Sequence, residues 1–167
     1  RRLLARYTDA EGEDRLAVAE EIEARYKYAS PAEEPTLFEA ERHLPYFVTQ
    51  YERVGVLYED MLRIYEAALG IELGVGFKRA IVLMVIAAQV GLDDVDDYPD
   101  DRGEQLTPVT AELAIDGADG VATVERIVDR YLDRAAEYAD THLAGMAIAY
   151  IREDAHDRIA ALAASVD

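Results

Sequence analysis

From Ala80 to Leu92 the chain runs thirteen residues without a charge, although 31% of its 167 residues are Asp, Glu, Lys or Arg. A segment this apolar has to be enclosed, either by the rest of a fold or by lipid. A spanning helix needs about 20 such residues. The segment is therefore read as a buried core element, and no membrane span is expected. Ile81, Val82, Val85 and Ile86 are β-branched and would also suit a buried strand, but no second strand candidate exists to pair with it. Phe77 to about Leu92 is accordingly expected to form a central helix, apolar all round. The chain around it reads as all-α, a single-domain helical bundle over 1–167.

The flanking segments carry helix signals. Glu13 to Tyr28 has helix-forming composition. Ser30-Pro31-Ala32-Glu33 offers a capping box with proline at the first helical position, and Thr36-Leu37-Phe38-Glu39 repeats the box. Pro45 is expected to open the next helix, which has the clearest period in the chain. Phe47, Tyr51, Val54, Tyr58, Met61, Tyr65 and Ala68 step by 4, 3, 4, 3, 4, 3, with Val48, Gly55, Leu62 and Leu69 beside them, and the pattern ends at Gly70. Tyr51, Tyr58 and Tyr65 at heptad spacing suit the lining of an apolar ligand cavity, but such tyrosines more often form a packing or dimer seam, so a homo-oligomer is the expected state. Beyond the central helix Pro99 forces a break. Pro108 starts a short helix through Ile115, and Asp116 to Gly120 is a turn. Val124, Val128, Tyr131, Ala135 and Tyr138 form a second heptad-like stripe, and Leu143 to Ala164 extends the pattern on small and aliphatic residues.

Charge narrows the partners. The net charge is -18, from 35 acidic and 17 basic residues, and Lys27 and Lys78 are the only lysines. This composition resembles that of haloarchaeal proteins: molar salt shortens the Debye length to roughly 3 Å, so an acidic surface repels itself little while its carboxylates keep the chain soluble. Duplex nucleic acid and anionic membrane both require a basic face and are excluded as expected partners. The absence of cysteine rules out disulfides, thiolate nucleophiles and Cys-ligated zinc. With no secretory signal at its start, the chain is expected to be cytoplasmic.

Directly after the apolar run stand six aspartates within nine positions, Asp93, Asp94, Asp96, Asp97, Asp100 and Asp101. Carboxylates this close repel one another and, at a helix C-terminus, face the negative end of the dipole, so they need cations or full solvation. Asp93-Asp94-Val95-Asp96-Asp97 fits DDxxD, in which the first and last carboxylates lie one helical turn apart and can grip Mg²⁺ from one side. With Tyr98-Pro99-Asp100-Asp101, then Arg102-Gly103 and Thr107-Pro108, about 30 residues resemble the first aspartate-rich motif of the trans-isoprenyl diphosphate synthases. One arginine stands where that family has two, and no second DDxxD follows. The resemblance implies a helical fold in which Asp93, Asp94 and Asp97 hold Mg²⁺ against an allylic diphosphate and Arg102 contacts its phosphates. The same stretch is no EF-hand loop: with Gly103 at the sixth position, Tyr98, Arg102 and Val109 stand where carboxylates belong.

Other candidates are bland. Glu153-x-x-His156 lacks the second copy and the extra glutamates of a di-iron bundle. His43 reads as a helix-junction residue, His142 as a seam or surface residue, and Ser30 and Ser165 have no nearby base. Two functions from different classes remain. One is Mg²⁺-dependent binding of an isoprenoid diphosphate, or prenyl transfer, by a shortened, diverged synthase-like domain. The other is a non-catalytic, homodimeric acidic helical protein acting in protein interaction, with the aspartates as a solvated or salt-binding loop.

Overall fold

The computed structural model describes residues 6–7, 9–28 and 37–166, and among these every regular element is helical. Both capping boxes expected between residues 30 and 39 involve positions outside the described residues. Helix α1 (Gly12–Ile22) passes into a π-helical turn at Glu23–Lys27. A second π turn, Phe47–Tyr51, leads into α2 (Glu52–Leu69). After α3 (Val75–Ala88) come a third π turn (Gln89–Asp93) and two single turns, Asp94–Asp96 and Tyr98–Asp101. Helices α4 (Pro108–Asp116), α5 (Gly120–Tyr138) and α6 (His142–Val166) complete the bundle.

Helix α3 is the axis of the fold. Val82, Leu83, Ile86, Ala87 and Val90 are wholly removed from water, and burying a large aliphatic side chain stabilises by about 1.5–3 kcal/mol. Helix α5 packs along α3 most extensively, with α2 and α6 on its other sides. With the π turn included, the helix runs continuously from Val75 to Asp96, longer than the charge-free segment suggested. By length and composition alone it would reach across a bilayer, but half of its most apolar stretch is enclosed by the bundle, as a core helix requires. Gly91 makes this closure tight, because a Cβ there would lie 2.7 Å from the Ala155 Cβ of α6.

Starts and stops follow local chemistry. Thr107 caps α4 reciprocally with Thr110, ahead of Pro108 at the first turn. Gly70 ends α2 in the left-handed conformation, φ 63°. Pro45 does not open the preceding turn. Tyr46 intervenes at φ 60° with its N–H bonded to the Lys27 carbonyl at 2.9 Å, and helix begins only at Phe47. The Tyr46 hydroxyl donates to Glu112 at 2.7 Å in full burial, which holds this uncommon backbone conformation.

The tyrosine stripe divides in two. Phe47 and Tyr51 are buried, whereas Met61 and Tyr65 are 40% and 57% exposed. What α2 turns toward α3 is the neighbouring face with Gly55, Glu59 and Glu66, where Glu59 meets Arg79 at 3.5 Å and Glu66 meets Lys78 at 3.0 Å. Other acids also lie inside rather than on the solvated surface. Glu41 takes bonds from Arg134 and Tyr138, and Glu112 pairs with Lys27 at 2.9 Å. Such pairing is what an interior charge requires.

Candidate functional site

The π turn Gln89–Asp93 leads directly from the apolar run into the aspartates. Asp94, one helical turn beyond the buried Val90, points inward, 8% exposed, and its Oδ2 accepts a hydrogen bond from the buried Tyr51 hydroxyl at 3.1 Å. Burial, together with the negative charges of Asp93, Asp101 and Asp97, pushes the Asp94 carboxyl up to about 7 against the opposing effect of the Tyr51 bond. Burial also pushes the Tyr51 phenol well up, with Asp94 adding to it.

Asp93 and Asp97 stay at the surface on one helix face, joined by the bond from the Asp97 N–H to the Asp93 carbonyl at 2.9 Å. Partial desolvation and then the repulsion of Asp93 and Asp101 raise the Asp97 carboxyl. Together with Asp96 the two carboxylates rim a groove of about 600 Å³ between α2 and α3, floored by Val54, Tyr58, Val85, Ala88 and Leu92. Arg158 from α6 reaches the same rim, where it bonds Asp96 and meets Asp154 at 3.5 Å. The site is thus an apolar trough with an acidic lip and one cation.

The four residues singled out from the sequence therefore separate. Asp93 and Asp97 share the groove, whereas Asp94 is not part of its lining and is buried in a bond with Tyr51. Arg102 lines a different cavity, with Tyr7, Arg15 and Tyr98. Among the described residues no three Asp, Glu or His side chains converge as a ready-made metal cage. Two carboxylates one turn apart still suit Mg²⁺, which keeps several waters and takes the rest of its shell from a substrate's phosphates. His156 bonds across to Asp129 at 3.1 Å rather than to Glu153, and His43 and His142 face water.

Sequence reasoning missed Tyr51 as the partner of Asp94 and Arg158 as the cation at the rim. Tyr51 was visible only as one member of the stripe, and nothing local ties Arg158 to an aspartate 62 positions away. No known protein family, curated protein or solved structure matches the chain significantly.

Proposed function

We propose that the groove between α2 and α3 binds an isoprenoid-type diphosphate with the help of Mg²⁺. One observation carries this reading: Asp93 and Asp97, a helical turn apart, open onto the lip of an apolar trough large enough for a small hydrocarbon chain. Asp93 and Asp97 would hold the metal, and Val54, Tyr58, Val85 and Leu92 would receive the chain. When bound, the ion supplies the positive charge that lets a diphosphate lie against carboxylates and favours its departure from an allylic carbon. Arg158 keeps Asp96 neutralised, which limits the negative charge an incoming diphosphate meets. The resemblance of the aspartate motif points to the same substrate class.

Calorimetry tests this at a salt concentration where the helical circular dichroism is complete. Pyrophosphate and a short prenyl diphosphate should bind only with Mg²⁺ present, the prenyl compound more tightly. Asp93→Ala and Asp97→Ala should each abolish binding without loss of helix, and Arg102→Ala should leave it unchanged. Absence of Mg²⁺-dependent binding by the wild-type chain overturns the reading.

A second reading rests on a separate observation. From Met61 the apolar stripe of α2 is open to water, and Leu57, Ile64 and Leu69 near it are 58%, 67% and 67% exposed. A contiguous apolar patch of this kind marks an interaction surface, and its 3.5-residue repeat fits another helix laid alongside. Self-association through α2 is the form of protein interaction this favours.

A further inference from the structure

The cavity that holds Arg102 has a character foreign to this chain. It lies between α1, the Tyr98–Asp101 turn and α4, with a volume of about 580 Å³. Its described lining contains two guanidinium groups, Arg15 and Arg102, and no carboxylate. With 35 acidic residues against 17 basic ones, most cations here are taken up by acids. Among the described residues eight arginines and both lysines have a carboxylate within ion-pair distance. Arg15 and Arg102 do not, nor do Arg53, Arg126 and Arg130, but only these two share a cavity lining without a described carboxylate: Arg15 rests over the Tyr7 ring at 4.5 Å, and the Arg102 side chain bonds no described group.

The walls are built rather than incidental. The Tyr7 hydroxyl donates to the Ile115 carbonyl at 2.8 Å and ties one wall to α4. The chain leaves the Tyr98–Asp101 turn through Gly103 at φ 79°, a conformation that favours glycine, and Gln105 bonds back to Asp101 at 2.7 Å. Leu113, Ala114, Val166 and the rings of Tyr7 and Tyr98 supply the apolar part of the same lining. The Tyr98 hydroxyl bonds no described group and adds a free donor to the lining.

Unpaired guanidinium groups are forks of parallel N–H donors matched to carboxylate and phosphate oxygens. A partly apolar cavity of this size, with no carboxylate in its described lining, suits an anionic organic molecule. We propose that this cavity is a metal-independent site for a small amphiphilic oxyanion, an apolar body ended by a carboxylate or phosphate, with the head held by Arg15 and Arg102. The proposal does not rest on the groove at Asp93 and Asp97, which faces a different part of the bundle.

The full chain should be titrated by calorimetry with hexanoate, hexyl phosphate and, as the uncharged control, 1-hexanol, in EDTA and at a salt concentration where it is folded. At least one of the two anions should bind saturably, and hexanol at least about tenfold more weakly, the worth of one lost charge-assisted bond pair. Arg15→Ala and Arg102→Ala should each weaken binding by about tenfold or more with unchanged circular dichroism, both side chains being exposed. Arg130→Ala, at an unpaired arginine outside this cavity, and Asp93→Ala should leave it intact. Lack of saturable binding by both anions, equal affinity for hexanol, or indifference to both arginine variants overturns the proposal. Because the metal is chelated, failure of Mg²⁺-dependent diphosphate binding leaves this result untouched.

Discussion

Helices α2 and α5 carry the same written pattern and meet opposite fates. In α5 the stripe Val124, Val128, Tyr131 and Ala135 is wholly buried, pressed on α3. In α2 the equivalent stripe sinks only at its start, and from Met61 onward it faces water while Glu59 and Glu66 turn toward α3. Heptad spacing states that a helix can offer an apolar face. Whether anything covers that face depends on neighbours that the spacing does not encode. The cause is local: Arg79 and Lys78 at the start of α3 need carboxylates, and the face of α2 that supplies them is not its most apolar one.

The sharpest way to break this comparison is to truncate one tyrosine from each stripe. Tyr131 is fully buried, donates to the Pro45 carbonyl at 2.7 Å and meets the Tyr51 ring edge-on at 5.9 Å. Tyr131→Ala should cost about 3–5 kcal/mol, as loss of a buried aromatic does. Tyr65→Ala should stay within about 0.5 kcal/mol, as exposed substitutions do. Denaturant unfolding of both variants in one buffer measures the two, and similar costs would mean that the α2 stripe is covered after all.

Tyr51, where the two stripes meet, links the comparison to pH. Its partner Asp94 titrates at about 7 in the folded protein, against 3.8 for the ordinary side chain. A carboxyl raised on folding binds more protons in the native than in the unfolded state between those values, so its contribution to stability is greatest below about pH 4. That contribution declines as pH rises toward 7 and is level beyond it. Asp94→Asn removes the titration and keeps an acceptor for Tyr51. Its stability relative to wild type should therefore climb between pH 4 and 7, by an amount on the order of 3–4 kcal/mol. A pH-independent difference would show that Asp94 is not held protonated by its surroundings.

Most of the helices could be read from the sequence because their signals are local. Gly70 and Pro108 bound elements where expected, and the charge-free run from Ala80 became the central helix. The candidate site was legible only as a pattern. DDxxD placed Asp93 and Asp97 on one face, but the bond that Asp94 makes in the interior comes from Tyr51, 43 positions away, which is tertiary packing. Arg102 joins the aspartates only through the resemblance of the motif, whereas the bend at Gly103 leaves it on a separate cavity with Arg15. Buried acids such as Glu112 were hidden among so many solvated ones, since their partners Tyr46 and Lys27 lie far along the chain.

The smallest effect on folding should come from charging the exposed stripe, and it decides whether a second copy of the chain covers α2. Ile64 is 67% exposed, so Ile64→Glu exposes no cavity and buries no charge in the single chain, and its unfolding should shift by less than about 0.5 kcal/mol. Across a helix–helix seam the same substitution sets a carboxylate against Met61, Tyr65 or Leu57 of the other copy, in a chain that already carries a charge of -18. Sedimentation velocity over a range of micromolar concentrations should find wild type as a dimer and Ile64→Glu as a folded monomer. Molar salt should favour the wild-type dimer, because it screens the repulsion of two acidic surfaces and strengthens apolar burial. A wild-type chain that stays monomeric throughout would leave the α2 stripe uncovered by its own kind and remove the self-association reading.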